Sequence, residues 1–145
     1  MRDLELLRDV SMEAGDIALK YFKSDPEFWD KDGGQGPVSV ADLEVNRMLE
    51  ARLKIARPDY GWLSEETDDD AVRLGCERVF ILDPIDGTRS FIAGHEDFAH
   101  SFAVAENGIV TAAIVHMPAK GLTFEATLGG GATLNGAPIT ASSAD

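Results

Sequence analysis

The chain has 145 residues, 44% of them hydrophobic, and a formal net charge of −13. This length suffices for one domain with its own core, and the hydrophobic share excludes a disordered protein. The acidic balance argues against binding to a nucleic-acid polymer or to a membrane surface. The sequence shows no signal peptide and no apolar run that could cross a membrane, and its single cysteine, Cys76, cannot form an internal disulfide. We therefore expect a cytoplasmic location.

Two helices are predicted near the N-terminus. Apolar residues recur at helical spacing between Leu4 and Phe22, which gives this segment one buried face. A second helix is expected after Ser39, because Ser39 and Asp42 have the spacing of a capping box, with Asp in place of the usual Glu or Gln. Pro58 ends this helix. The segment 32–37 between the helices is rich in glycine and predicts a loop.

Strands dominate the rest of the chain. Buried or half-buried strands are predicted at 60–63, 79–82, 101–105, 109–115 and 122–127, and Thr88 is expected to cap a short helix. Asn107-Gly108 and Asn135-Gly136 indicate two hairpins. Because helices come first and antiparallel strands follow, we predict an α+β fold, with two N-terminal helices packed on an antiparallel sheet. Residues 1–145 are interpreted as a single domain.

The most informative segment is 83–88, which directly follows the strand predicted at 79–82. Asp83 and Asp86 would lie on opposite faces of a straight strand, but Pro84 and Gly87 allow the chain to turn, so that both carboxylates converge. Hard oxygen ligands of this kind suit Mg²⁺, and a helix that starts directly after them suits a phosphate group. The alternative interpretation is two surface acids in an ordinary turn.

The spacing within this segment excludes one class of phosphatase. Haloacid dehalogenase-like enzymes carry Asp-x-Asp-Gly-Thr, in which the first Asp is a covalent nucleophile and the second is the acid. Here Asp83 and Asp86 are three residues apart, and no pair of residues offers the required register.

The segment 83–88 resembles the metal site of the inositol monophosphatase superfamily of metal-dependent phosphomonoesterases. The resemblance covers most of the chain, because three further segments match the family's motifs in order and spacing. These segments are Pro37-Val38-Ser39-Val40-Ala41-Asp42, Ser64-Glu65-Glu66-Thr67, and Gly129-Gly130-Gly131-Ala132 followed by Asn135-Gly136. The resemblance implies half of the family's layered α/β sandwich.

The family implies a site with two or more Mg²⁺ ions. Asp83 would bridge two metals, Glu65 and the backbone carbonyl of Ile85 would bind the first, and Asp86 would bind the second.

The same resemblance implies the catalytic roles. Thr88 and Glu65 would polarise a metal-activated water that attacks phosphorus, and Asp42 would hold the Thr88 hydroxyl. Backbone N–H groups of Gly87 and Thr88 would bind the substrate phosphate.

The function implied is Mg²⁺-dependent hydrolysis of a small phosphorylated metabolite, an inositol phosphate or a related monoester. A 3′(2′),5′-bisphosphate nucleotide and histidinol phosphate stay open as substrates. No segment matches the motif of the family's C-terminal α/β domain, so the chain resembles the N-terminal metal-site domain alone, with one metal-binding aspartate absent. We therefore expect poor activity or none, and a metal-binding or assembly module that needs a C-terminal partner is the alternative. The family also implies a homodimer, which the sequence leaves open.

Several conspicuous residues receive no catalytic role. His95, His100 and His116 show no spacing typical of metal ligands. Glu66 is expected to be acidic surface. Trp29 and Trp62 are expected to pack rather than to stack on a substrate. The acidic run 68–70 is interpreted as a solvated loop, and the small, polar residues 141–145 as a linker-like tail.

Overall fold

The structure is a computed structural model that describes residues 1–30, 36–67 and 71–142. The acidic run 68–70, most of the predicted loop at 32–37 and the end of the tail lie outside the described residues. The helices of the described residues are α1 (Asp3–Tyr21), α2 (Val40–Ala56) and α3 (Thr88–Ile92), with a 3₁₀ turn at Ala71–Gly75. The strands are β1 (Phe28–Asp30), β2 (Pro37–Ser39), β3 (Gly61–Ser64), β4 (Arg78–Asp86), β5 (Ala99–Glu106), β6 (Ile109–Met117), β7 (Leu122–Thr127), β8 (Gly131–Leu134) and β9 (Ala137–Ile139).

Strands β3 to β9 form one sheet in chain order, and β1 and β2 form a separate antiparallel pair. The prediction of an α+β fold is therefore confirmed. All neighbours in the large sheet are antiparallel except β3 and β4, which run parallel. This pair differs from the purely antiparallel expectation because β3 and β4 are joined by a longer connection that includes the 3₁₀ turn, whereas a tight hairpin would force them to be antiparallel.

The core lies between helices α1 and α2 and one face of the sheet. Each helix contributes a stripe of apolar side chains at helical spacing, and β4, β5 and β6 contribute alternate residues, as a half-buried sheet requires. The fully buried members include Leu7, Val10, Val45, Leu49, Phe80, Phe102, Val104 and Ile114. Within the described residues, no helix combines the length and the apolar character needed to span a membrane.

Local signals in the sequence placed several elements correctly. The capping box at the start of α2 is present, with Asp42 Oδ2 accepting from the Ser39 backbone N–H at 2.9 Å and Asp42 N–H donating to Ser39 Oγ at 3.3 Å. Asn107-Gly108 joins β5 to β6 with φ of 51° and 83°. Positive φ at both positions is the signature of a type I′ hairpin turn, which matches the twist of the two strands.

Two local predictions were wrong. Helix α3 is capped by Gly87 in the left-handed conformation (φ 87°, ψ 39°) and not by Thr88, whose hydroxyl contacts other groups. Trp29 lies on the three-residue strand β1 and is 43% exposed, because that strand does not join the main core. Trp62, in contrast, packs edge-on against Phe80 at a ring-centroid distance of 6.2 Å, as predicted.

Candidate active site

The site is built on an irregularity in strand β4, which continues beyond the predicted end at Leu82 as far as Asp86. Asp83 pairs with Ser101 and Asp86 pairs with Ala99, so two residues of β4 stand opposite the single residue His100 of β5. Ser101 and Ala99 are two positions apart and lie on the same side of β5. Their partners Asp83 and Asp86 therefore also face one side, because a β-bulge shifts the alternation by one residue.

A cleft of about 290 Å³ opens where β4 ends and α3 begins. Most of the residues that the sequence marked as catalytic, metal-binding or phosphate-binding line it. The lining consists of Pro37, Glu65, Glu66, Asp83, Ile85, Gly87, Thr88, Arg89 and Ser90. Two predicted residues lie outside this lining: Asp86 is exposed at the end of β4, and Asp42 is fully buried behind the cleft wall.

Asp42 is linked to the cleft by a hydrogen bond with Thr88. The Thr88 hydroxyl lies 2.9 Å from Asp42 Oδ1 and 3.1 Å from the Ile85 carbonyl oxygen. Both neighbours can only accept, so they compete for the single proton of the hydroxyl and leave its lone pairs available toward the cleft. The second oxygen of Asp42 accepts from the backbone N–H and the hydroxyl of Ser39, so the buried carboxylate is fully hydrogen-bonded.

Glu65 is brought to the cleft by the parallel pairing of β3 with β4. Ser64 pairs with Leu82, and the Glu65 backbone N–H donates to the Leu82 carbonyl at 3.1 Å. The carboxyl ends of two parallel strands lie at the same edge of a sheet, so Glu65 follows β3 at the point where Asp83 follows Leu82. Ser64 is buried and donates to Asn46 Oδ1 at 2.7 Å, which ties this edge to α2.

The cleft carries an excess of negative charge that acts most strongly on Asp83. Burial raises the pKa of Asp83 to about 7, and the charges of Asp86, Glu65, Asp42 and Glu66 contribute in that order. A carboxyl group in this environment is costly to ionise without a compensating cation. The physical chemistry of the cleft therefore favours binding of a positive ion beside Asp83.

The donors available at the cleft fit Mg²⁺. They are carboxylate and carbonyl oxygens, the ligand type that Mg²⁺ prefers, and Mg²⁺ normally takes only one or two carboxylates together with water and phosphate oxygens. Among residues 1–30, 36–67 and 71–142, no three His, Cys, Asp or Glu side chains form a ready-made metal cluster. The implied arrangement does not require one, because each ion would use two carboxylates, one of them shared.

Sequence reasoning missed three residues at the site. Glu66, expected to be plain surface, lines the cleft and raises the pKa of Asp83. Arg89 is the cation among the described residues of the lining, and its only signal in the sequence is its position directly after Thr88. His100, given no role, has Nδ1 2.5 Å from the Pro84 carbonyl oxygen. The signal in the sequence is that His100 is a polar residue at a position of β5 where the alternation places a side chain that faces the core.

Comparison with known proteins supports the resemblance seen in the motifs. The sequence model of the inositol monophosphatase family matches residues 3–145. A histidinol-phosphatase of Chlorobaculum parvum is 34% identical over 142 residues, covering 97% of this chain and 53% of the relative. A 3′-phosphoadenosine 5′-phosphate phosphatase of Mycobacterium leprae is 34% identical over 153 residues, covering 95% and 54%. The structure of an IMPase from Thermotoga maritima superposes with a TM-score of 0.88 at 30% identity, over 99% of this chain and 55% of that one.

These matches extend over nearly the whole of this chain, whereas the chain spans about half the length of the curated relatives it matches. The relatives are phosphatases that differ in substrate, and the solved structure shares the arrangement of helices and sheet described above. By sequence and by fold, the chain belongs to the inositol monophosphatase family.

Proposed function

We propose that this chain carries most of a site for Mg²⁺-dependent hydrolysis of a small phosphate monoester. The observation that carries the proposal is the hydrogen bond between Thr88 and the buried carboxylate of Asp42 at the wall of a cleft that also contains Asp83 and Glu65. An ordinary surface turn has no need of a buried, fully hydrogen-bonded aspartate behind a threonine hydroxyl. Membership of a family of phosphatases supports the same function.

The metal would be held by oxygen atoms of β4 and of the residue that follows β3. Asp83 would contact two ions, with Glu65 and the Ile85 carbonyl on the first and Asp86 on the second. When bound, Mg²⁺ supplies positive charge for the phosphate and makes the attacking water more acidic. The excess negative charge that raises the pKa of Asp83 supports this assignment, since a cation there removes the repulsion.

Thr88 and Glu65 would orient the attacking water. Because the Thr88 proton is directed at Asp42 and at the Ile85 carbonyl, the Thr88 oxygen can accept a hydrogen bond from a water in the cleft. Glu65 would accept the second hydrogen of the same water and take up its proton as the oxygen attacks phosphorus. Asp42 would act by holding the Thr88 hydroxyl in this orientation.

The substrate phosphate would lie at the start of α3. No side chain caps this helix, so the first backbone N–H groups, those of Gly87 and Thr88, would be available to a phosphate in the cleft. Arg89 adds a cation to the same wall. Catalysis in such a site rests mainly on positioning and on charge stabilisation.

The experiment that tests this function measures phosphate release by the chain with and without Mg²⁺. The substrate panel consists of inositol 1-phosphate, 3′-phosphoadenosine 5′-phosphate and histidinol phosphate, because the relatives differ in substrate. The substrate proposed first is an inositol phosphate or a related monoester. Turnover by this chain, which is expected to be low, should require Mg²⁺ and disappear in Asp83→Asn. Asp59→Asn is a matched control, because Asp59 is exposed and precedes β3 at the opposite end of the strand from Glu65.

A second candidate is a metal-binding module that needs a partner surface for turnover. The observation that favours it is an apolar groove of about 140 Å³ on the sheet, lined among others by Ala113, Val115, Phe124 and Ala126. The register places these four residues on the sheet face opposite to that of Phe102 and Ile114, which pack against the helices. Mg²⁺ binding without phosphate release, together with self-association in size-exclusion chromatography, would favour this candidate.

A further inference from the structure

The β-bulge of β4 leaves a gap in the hydrogen-bond ladder with β5. Asp83 and Asp86 have partners in β5, but Pro84 and Ile85 do not. Pro84 is buried, so its carbonyl oxygen is shielded from solvent and needs a donor from within the protein. Proline has no N–H of its own, and the residue across the gap is His100.

The His100 side chain fills this gap. Its ring is fully buried, and its Nδ1 lies 2.5 Å from the Pro84 carbonyl oxygen. Because a carbonyl oxygen can only accept, Nδ1 must carry the proton, and in the neutral ring Nε2 is then a bare acceptor. Among the described residues, His100 Nε2 is the buried side-chain atom that has no hydrogen-bond partner.

A buried ring nitrogen without a hydrogen-bond partner makes histidine an unfavourable residue for a core position. His100 stacks beside Phe102 and His116 at ring-centroid distances of 6.0 and 6.1 Å, in a layer that an apolar side chain would fill without an orphaned nitrogen. The one polar contact that the ring makes is with β4, the strand that carries Asp83 and Asp86. The Pro84 carbonyl and the Ile85 N–H belong to one planar peptide group, so fixing the oxygen also fixes the start of residue 85.

We propose that His100 is a positioning residue of the active site, whose Nδ1–H holds the Pro84 carbonyl and thereby keeps Asp83, the Ile85 carbonyl and Asp86 on one side of β4. This inference rests on the proposed function, because it concerns the groups that would hold Mg²⁺. His100 touches neither substrate nor metal and acts through the backbone of residues 84–86. The outer contacts that orient metal ligands commonly affect metal affinity by tenfold or more.

His116 provides a matched control. It pairs with His100 across β5 and β6, is nearly as buried, and belongs to the same stacked layer. Its Nδ1 contacts the Thr123 hydroxyl at 2.9 Å, so it makes no hydrogen bond to β4. If the stacked layer had only a structural role, replacing His100 or His116 should have the same effect on Mg²⁺ affinity. If His100 positions the groups that would hold Mg²⁺, only its replacement should lower that affinity.

The test compares the wild-type chain with His100→Leu, His100→Asn, His100→Gln and His116→Leu. Asn carries its amide nitrogen on Cγ, as histidine carries Nδ1, and so retains a donor near that position, whereas the Gln amide lies one bond farther out. The readouts are Mg²⁺ affinity by calorimetry, with the metal alone as the probe, and amide hydrogen exchange at residues 85–88. Exchange reports on the bulge without any metal.

We expect His100→Leu to lower Mg²⁺ affinity about tenfold and to accelerate exchange at residues 85–88, with His100→Asn close to wild type and His116→Leu unchanged in both. The proposal is overturned if His100→Leu matches wild type, or if His116→Leu has an equal effect. If His100→Leu does not fold, His100→Gln is compared with His100→Asn. Weaker Mg²⁺ binding and faster exchange in His100→Gln support the proposal, and equal values in the two variants overturn it. Absence of Mg²⁺ binding by the wild-type chain would contradict the proposed function, and the exchange data would still decide whether His100 holds the bulge.

Discussion

Replacing Asp83 by Asn should stabilise the metal-free chain at high pH while removing its response to Mg²⁺. The pKa of Asp83 is raised from 3.8 to about 7 by burial and by the neighbouring carboxylates. A carboxyl group whose pKa is raised on folding stabilises the folded chain below the lower value, and this contribution is lost as pH rises toward the higher one. At pH 8 the charged Asp83 therefore weakens the metal-free fold, and neutral Asn removes that penalty.

The size of the effect follows from the same pKa. A rise of roughly three pH units at about 1.36 kcal/mol each sets an upper limit of about 4 kcal/mol. Asp83 is only partly buried, and screening by solvent reduces the expected gain at pH 8 to about 1–2 kcal/mol. For a domain of this size the gain corresponds to a rise in Tm of roughly 3–6 °C. At pH 4 the two proteins should melt at nearly the same temperature.

Thermal unfolding in EDTA and in 10 mM Mg²⁺ measures both parts of this prediction. Asp83→Asn should melt above wild type at pH 8 in EDTA, and Mg²⁺ should raise the Tm of wild type but not that of the variant. Asp59→Asn, which removes an exposed carboxylate outside the site, should follow wild type under both conditions. A lower Tm for Asp83→Asn at pH 8 in EDTA would refute the electrostatic reasoning, because it would mean that the Asp83 charge stabilises the metal-free fold.

Three further predictions concern the hydroxyl, the turn and the core. Thr88→Val should reduce turnover about 10²-fold or more in steady-state assays without weakening Mg²⁺ binding, whereas Thr88→Ser should retain most activity; equal activity of Val and Ser would contradict a role for the hydroxyl. Gly87→Ala should lower the free energy of unfolding in urea more than Gly108→Ala, because both have positive φ but only a Cβ at Gly87 would lie 2.8 Å from the Asp97 carbonyl. Leu49→Ala should cost about 2–5 kcal/mol in the same assay, because Leu49 is fully buried between α2 and the sheet, and a loss below 1 kcal/mol would show that this packing is not tight.

Features with a local physical cause could be predicted from the sequence. The capping box of Ser39 and Asp42 and the type I′ turn at Asn107-Gly108 depend on a few adjacent residues, and both are present in the structure. The segment 83–88 also predicted a cluster of carboxylates beside a helix start, because Pro84 and Gly87 limit what the backbone can do there.

Features that depend on strand pairing could not be predicted in this way. The parallel register of β3 with β4 brings Glu65 and Glu66 beside Asp83, and nothing near Glu66 in the sequence indicates that contact. Likewise, the bulge between Asp83 and Asp86 becomes visible only when their partners in β5 are known. His100 reads as an ordinary position of an alternating strand until its ring is seen to contact the Pro84 carbonyl.

The Thr88 hydroxyl also depends on a residue that is distant in the sequence. Local signals predict that Thr88 caps α3, as Ser and Thr commonly do, whereas its hydroxyl donates to Asp42 of α2, a contact that only the resemblance to the family implied. Gly87 then takes the capping position through its backbone alone.

Calorimetric titration of inorganic phosphate tests whether the carboxylates of this cleft bind Mg²⁺ and whether the bound metal recruits phosphate. In the presence of Mg²⁺ the chain should bind phosphate, and omission of Mg²⁺ or the change Asp83→Asn should abolish that binding while Asp59→Asn preserves it. Phosphate binding that is independent of Mg²⁺ and of Asp83, or no phosphate binding at millimolar Mg²⁺, would contradict a metal-dependent phosphate site in this cleft.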